Sequence, residues 1–397
     1  MIPEFDYLII GGGMAADASA KGIREVDSIG TIGIAGDDVD PPYTRPALTK
    51  KLWTDPEFTA EDNWLHTASE TDAEVMTETV ISAVNPHEHT ATMDDGGSIR
   101  YGKLLLATGG HPKRLDVPAG PRSIYFRSFA DYRALRRLSG KDRNIAVVGG
   151  SYIGTELAAA LVQNGTRPSL IYPDKVLTGS MFPADLAARF ERTYAEHGVE
   201  LFPGTTVTSG RTTSDGVVLS LDDGSERSFD AMVSGLGISP CMEVAEQAGL
   251  QVDDGIVVDE GLRTSVPDIY AAGDVANYPD RILGRRRIEH VDNATLMGSA
   301  AGRAMAGSNE IYDHTPYYYS NVFDMAYQAV GTVDASLEMV EDWAEPQRKG
   351  VVYYLDGGNV VAGVLLWNVP DRLAEARKVL ADNQPKDASA LRGAIGM

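Results

Sequence analysis

Two stretches of the chain carry the same pattern of apolar and polar positions. Residues 5–10 form an apolar run of buried-strand type, and Gly11-Gly-Gly13 follows at once. An Ala-rich stretch from Met14 to about Val26 has helical character, and Ser28 to Ala35 returns to strand character. Later, Asn144–Val148 predicts a strand, Gly149-Gly-Ser-Tyr-Ile-Gly154 a turn, Thr155 to Gln163 a helix and Arg167 to Tyr172 a strand. The repeat is one of architecture and has no short period. Each unit is followed by short predicted strands broken by turn signals. These are Val75 to Tyr101, with breaks at Asn85-Pro86 and Asp95-Gly-Gly97, and Val199 to Phe229, with breaks at Asp215-Gly216 and Asp222-Asp-Gly224. From about Ile311 the chain is Tyr-rich, then strand-like at Gly350 to Leu355 and Val360 to Leu366, and helical at Asp371 to Ala381. Asn383 to Met397 is expected to fray.

The first turn reads Gly11-x-Gly13-x-x-Ala16 between a strand and a helix. Gly11 allows the tight turn, Gly13 lets backbone approach a pyrophosphate at the helix N-terminus, and Ala16 is small enough for the helix to pack on the strand. Asp37 and Asp38 follow the second strand, where a carboxylate accepts hydrogen bonds from an adenosine ribose. Two further Gly-bearing strand ends follow, Ala107-Thr108-Gly109-Gly110 and Ala271-Ala-Gly273-Asp274. An Asp at such a position also serves as a plain helix cap; the order of the two strand ends favours a cofactor site.

The 397 residues suffice for two or three domains, and no run of 18 apolar residues predicts a spanning helix. Residues 1–10 lack a basic stretch and a signal-peptide core, which predicts a cytoplasmic protein. The formal charge of −22 argues against nucleic-acid partners and anionic membranes. Against that background a basic cluster stands out at Arg281 and Arg285-Arg-Arg287. The single cysteine, Cys241, forms no internal disulfide, and no CxxC exists, so electron relay through a cysteine pair is closed. Cys241 is read as structural, and no metal site is expected.

The motifs together resemble the pyridine-nucleotide-dependent flavin oxidoreductases, in the branch of ferredoxin and rubredoxin reductases, apoptosis-inducing factor and monodehydroascorbate reductase. The most specific pieces are Pro42-Tyr-Thr-Arg-Pro-Ala-Leu-Thr-Lys50, Gly235-x-Gly237-x-x-Pro240, Ala-Ala-Gly-Asp274 and Arg286-Arg-Ile-Glu-His-Val-Asp292. The resemblance implies an α/β fold of two Rossmann-like dinucleotide-binding domains, the FAD domain split and the NAD domain inserted, plus a C-terminal α+β domain. The boundaries would be about 1–118 with 243–310 for FAD, 119–242 for NAD(P)H and 311–397 for the C-terminal domain. It places Gly11, Gly13, Asp37, Arg45, Lys50, Val80, Asp274, His290 and Val291 against FAD. Arg45 would face the pyrophosphate and Asp274 the ribityl chain. The helix opening at His290 and Val291 would point its positive end at the flavin pyrimidine. Ala16, Asp38, Thr108, Gly109, Lys113, Gly273 and Gly237 complete the implied cofactor contacts, with Gly149, Ser151, Ile153, Gly154 and Asp174 in the second unit. Lys50 and Glu156 are the implied catalytic pair, the Lys reaching flavin N5 and the Glu orienting it. Tyr319 either borders the flavin or belongs to the core and rim of the last domain.

The second fingerprint departs from pattern, with Ser151 where a glycine is expected, so nicotinamide binding would be weakened but need not be lost. Asp174, in Tyr172-Pro-Asp-Lys175, stands in the ribose position and favours NADH over NADPH by repelling a 2′-phosphate. The expected activity is hydride transfer from NADH to FAD and onward passage of electrons. The acceptor would be an acidic iron–sulfur carrier of ferredoxin or rubredoxin type, steered by the basic cluster. Two alternatives remain open. One is reduction of a small molecule such as monodehydroascorbate or a quinone, against which Asp292-Asn-Ala-Thr295 lacks the family's Arg. The other is a redox-signalling flavoprotein like apoptosis-inducing factor, for which a homodimer would matter.

Overall fold

The computed structural model describes residues 2–397, which form two compact units. One unit combines the residues up to Arg45 with Thr59–His111 and Ser239–Pro316; the other combines Pro46–Phe58, Pro112–Ile238 and Tyr317–Met397.

In the first unit Glu4–Ile10 lies between two parallel neighbours, Ile32–Ala35 and Ser98–Leu106, and Ile269–Ala271 pairs parallel with the end of Ser98–Leu106. Leu8, Ile9, Ile34, Leu104 and Leu105 are fully buried, which is why these runs read as continuous apolar stretches without alternation. Thr90–Met93 and Ile81–Asn85 extend the same sheet antiparallel. The second strand begins at Ile32 and not at Ser28. The Asp27 carboxylate explains this: it accepts the N–H groups of Ile29 and Gly30 at 3.0 Å and the Tyr7 hydroxyl at 2.8 Å, which closes a turn before the strand.

Two helices of this unit, Met14–Val26 and Val291–Met305, pack backbone to backbone. A Cβ on Gly302 would stand 2.0 Å from the Ser19 carbonyl oxygen, one on Gly22 2.2 Å from that of Ser299, and one on Gly298 2.5 Å from that of Ala15. Ser19 Oγ ties the crossing by donating to the carbonyls of Ala15 and Gly298. Because Ala15 meets Gly298 and Ser19 meets Gly302, the helices run in the same sense and bring their N-termini to one end.

The second unit is built on a parallel sheet in the order Glu200–Phe202, Arg167–Ile171, Asn144–Val148, Ala231–Ser234, Ser123–Tyr125. The helix after the fingerprint spans Tyr152–Gln163, three residues earlier than its apolar run suggests. Val207–Thr212, Val217–Leu221 and Glu226–Phe229 form a small antiparallel sheet. The C-terminal strands make a five-stranded antiparallel sheet in the order Tyr317–Val322, Met325–Gly331, Val361–Trp367, Lys349–Leu355, Glu338–Glu345. Its aromatics pack on those of the parallel half: Phe182 lies edge-on to Tyr327 and Trp367, and Tyr152 edge-on to Tyr318. The helices Phe129–Leu138 and Ala184–Glu196 lie outside the predicted elements, although Ser128 and Asp131 form a capping box at the start of the first.

The chain end does not fray. Leu391 and Ile395 are fully buried, and Gly393 N–H donates to the Asp342 carboxylate at 2.7 Å. The two apolar anchors sit among polar neighbours, so the stretch resembles a tail in composition alone.

Gly302→Ala should destabilise the first unit by about 1–3 kcal/mol, the usual cost of forcing a methyl into a filled contact. Gly120→Ala, where a Cβ meets nothing within 4 Å, should be neutral. Thermal unfolding of both variants checks this; equal melting temperatures would show that the helices separate without cost.

Candidate active site

In the first unit the implied FAD residues gather at the C-terminal ends of parallel strands. Gly11 follows Glu4–Ile10, Asp37 follows Ile32–Ala35, Thr108 follows Ser98–Leu106, and Asp274 follows Ile269–Ala271. Parallel pairing puts these ends on one edge of the sheet, the usual place for a ligand in such folds. Gly11 has φ +120°, and a Cβ there would lie 2.1 Å from the Ala107 carbonyl oxygen, so the turn admits only glycine. Ala16 is fully buried under the helix. Beyond Gly13 the space is open. A Cβ on Gly13 would meet only Arg45 Nη2, at 3.8 Å. A gap between a helix N-terminus and a guanidinium suits a diphosphate, so the residues present fit the central group of a dinucleotide.

The two acidic candidates separate. Asp38 is committed to its own loop, accepting the Tyr43 hydroxyl at 2.7 Å and the Asp40 N–H at 3.2 Å, whereas Asp37 is exposed. Tyr43 in turn carries the Arg45 guanidinium over its ring at 5.4 Å. Thr108 Oγ1 donates to the Cys241 carbonyl and Cys241 N–H to the Gly109 carbonyl, which closes the strand end. Gly273, at φ +78°, sits over Ala15. Val80 is exposed beyond the strand Glu74–Met76. His290 caps the helix that starts at Val291.

In the second unit the fingerprint repeats the first contact. Gly149 has φ +117°, and a Cβ there would lie 2.6 Å from the Gly235 carbonyl oxygen. Gly154 touches the Gly149 carbonyl in the same way. Ser151 adopts φ −91° and ψ −168°, and Gly13 φ −97° and ψ −167°, so the substitution costs no backbone strain. Ser151 stands at the N-cap position, is exposed and makes no side-chain capping bond, and Ile153 is also exposed. Asp174 follows Arg167–Ile171, and its carboxylate accepts the Ser180 hydroxyl at 2.8 Å. Lys113 and Gly237 meet through their backbones at 3.0 Å.

Lys50 and Glu156 do pair, at 2.6 Å, with the Glu side chain 3% exposed and the Lys 18%. The Lys50 ammonium also lies 5.3 Å from the centre of the Tyr319 ring, a cation–π contact. Burial, with the Glu156 charge adding to it, raises the Tyr319 phenol above its ordinary value and keeps it neutral. Thr49 Oγ1 and Ser320 Oγ each donate to the same carboxylate at 2.6 Å. Neither was visible as a site residue: Thr49 sits inside the Pro42–Lys50 motif as an unremarked neighbour, and Ser320 shows only as the residue after three tyrosines.

A model of the family described as pyridine nucleotide-disulphide oxidoreductase matches residues 5–298. The chain belongs to that family. A model of the C-terminal part of apoptosis-inducing factor matches residues 344–382. The 5,5′-dehydrodivanillate O-demethylase ferredoxin reductase subunit of Sphingobium sp. is 34% identical over 91% of this chain and 90% of its own length. Monodehydroascorbate reductase 5 of Oryza sativa subsp. japonica is 31% identical over 98% of this chain and 86% of its own. Among solved structures, the covalent putidaredoxin reductase–putidaredoxin complex matches with a TM-score of 0.88 at 27% identity, over 98% of this chain and 95% of that one. The protein is an FAD-dependent NAD(P)H oxidoreductase of ferredoxin-reductase type.

This member of the pyridine nucleotide-disulphide oxidoreductase family carries no cysteine pair, since Cys241 is its single cysteine, and the Cys241 backbone is tied to Thr108 and Gly109. Among the described residues no cluster of three or more His, Cys, Asp or Glu could hold a metal, and no helix is long and apolar enough to cross a membrane. The basic cluster differs from expectation. Arg281 pairs with Asp313 at 3.1 Å, and Arg287, whose side chain is 10% exposed, pairs with Asp254 and Glu289. Arg285 donates to the carbonyls of Val258 and Asn277, and Arg286 to that of Leu283. These arginines brace a hairpin, and two of the four, Arg281 and Arg287, are paired with carboxylates, an arrangement that reduces what a surface charge contributes on its own.

Arg45→Ala should lower flavin retention, because it removes the guanidinium that stands 3.8 Å from the Cβ position of Gly13. Flavin-to-protein absorbance after gel filtration measures it; full retention would show that the guanidinium is not a cofactor contact.

Proposed function

We propose that the protein is an NADH-dependent reductase of an iron–sulfur electron carrier. FAD would be held by Gly11, Gly13, Ala16, Asp37, Arg45, Thr108, Gly109, Gly273, Asp274 and the helix start at His290 and Val291. The nicotinamide coenzyme would lie on the fingerprint Gly149–Gly154, with Asp174 at its ribose. The domains would divide at about 1–118 with 243–310, 119–242 and 311–397. FAD held there would supply the redox chemistry, taking up hydride from reduced nicotinamide and releasing electrons to an acceptor. The Lys50 ammonium favours the negative charge that arrives with that hydride. Glu156 sets its position, and Tyr319 shields it from water. Arg45 and the helix N-terminus at Gly13 balance the diphosphate charge.

The observation that carries this reading is the Lys50–Glu156 pair, a lysine held by a buried carboxylate on the helix of the nucleotide fingerprint. A charged pair costs desolvation and is weak evidence of stability, so its place beside a coenzyme turn argues for chemistry. The carrier as acceptor is supported by the similarity to reductases named for ferredoxin and putidaredoxin. NADH is supported by Asp174, whose carboxylate would repel a 2′-phosphate.

Lys50→Ala should slow flavin reduction by about 10²–10³-fold, the usual cost of removing a preorganised electrostatic donor. FAD content should hold. Stopped-flow absorbance at the flavin band reads the rate, and an unchanged rate would make the pair structural. In the native protein kcat/KM should be higher with NADH than with NADPH, and turnover should be fast with a ferredoxin. A preference for NADPH would overturn the role of Asp174, and fast turnover with quinones alone would replace the carrier by a small-molecule acceptor.

A further inference from the structure

We propose that Thr49 and Ser320 are positioning residues, which grip both oxygens of the Glu156 carboxylate and so hold the Lys50 ammonium in one place. The inference rests on the reading of Lys50 and Glu156 as the pair that acts during flavin reduction. Glu156 Oε1 accepts from Lys50 Nζ and from Ser320 Oγ, each at 2.6 Å, and Oε2 accepts from Thr49 Oγ1 at 2.6 Å. An ionised carboxylate has no proton to give, so both hydroxyls must be donors. The partners come from two segments far from Glu156 in the chain: Thr49, next to Lys50, stands 107 residues away, and Ser320 164.

The geometry explains why two hydroxyls are needed in addition to the lysine. A carboxylate held on one oxygen by a flexible ammonium can rotate about its last bond and carry the ammonium with it. Fixing the second oxygen through Thr49 removes that rotation. Ser320 on the first oxygen fixes the distance at which Lys50 approaches. Both hydroxyls belong to elements that are themselves locked. Thr49 lies in the turn Pro46–Thr49, buried, and Ser320 is buried on the strand Tyr317–Val322, paired through Tyr327. Displacement of a reacting group by about 1 Å is enough to cost of the order of 100-fold in rate.

The test is single-turnover reduction of the FAD-loaded protein by NADH at neutral pH for Ser320→Ala, Ser320→Thr, Thr49→Val, Thr49→Ser and Glu156→Gln. Ser320→Ala and Thr49→Val should each slow reduction about tenfold, as expected for a lost hydrogen bond to a charged group. The apparent affinity for NADH should be unchanged in each. Ser320→Thr and Thr49→Ser keep a hydroxyl and should restore the rate. An unchanged rate in Ser320→Ala and Thr49→Val, or a fall in rate that the hydroxyl-retaining variants share, would overturn the proposal and leave the role of the pair intact. Thr49→Val preserves shape, so it serves if Ser320→Ala loses its fold. Unchanged reduction in Glu156→Gln would overturn the reading of the pair itself, and this proposal with it.

Discussion

A buried carboxylate must be fully satisfied or it destabilises the fold around it, and Glu156 imposes that requirement on the whole second unit. Its side chain is 3% exposed, and three donors converge on it from the segment of Lys50, from its neighbour Thr49 and from the strand of Ser320. Meeting that demand joins the start of a short helix, the fingerprint helix and the first strand of the C-terminal sheet at one point. The aromatic packing of Phe182, Tyr327 and Trp367 supplies the apolar area that holds the strand there, since a single hydrogen bond would not. Packing sets the distances, and the carboxylate then turns them into a fixed charge.

In the first unit the corresponding constraint is close backbone approach. Gly22, Gly298 and Gly302 let two helices touch without side chains between them, and the helices thereby present their N-termini at the same end. Those ends carry partial positive charge, which suits a diphosphate at one and an electron-rich ring at the other. The Gly13–Arg45 gap lies at the first of these ends. The two fingerprints use one geometric device, a positive-φ glycine pressed on a neighbouring strand end, at Gly11 on Ala107 and at Gly149 on Gly235.

The charge distribution shows how context changes the meaning of a motif. Arg285-Arg-Arg287 is conspicuous in a chain of charge −22, yet its guanidiniums serve carbonyl groups of their own hairpin and the carboxylates of Asp254 and Glu289. The pair Asp37 and Asp38 behaves likewise. The two were equal in sequence, and the Tyr43 hydroxyl and the Asp40 N–H distinguish the one that builds the loop from the one that is left exposed.

The resemblance to a known family implied the pairing of Lys50 with Glu156, while the sequence by itself determined both nucleotide turns and the strands Glu4–Ile10 and Asn144–Val148. These are legible because glycine spacing and continuous apolar runs are local demands of the backbone, met within a few residues. Tertiary structure alone decided that Thr49 and Ser320 complete the carboxylate's shell and that Asp38 belongs to Tyr43. It also decided that the arginine run is braced, and that the tail from Asn383 is anchored by Leu391 and Ile395. A hydroxyl has the same sequence signature whether it faces water or a carboxylate, and a charge the same signature whether paired or free. Which holds depends on partners that tertiary packing supplies, from 33 residues away for Arg287 and Asp254 to more than 100 for Glu156 and its two hydroxyls, and no local pattern records them.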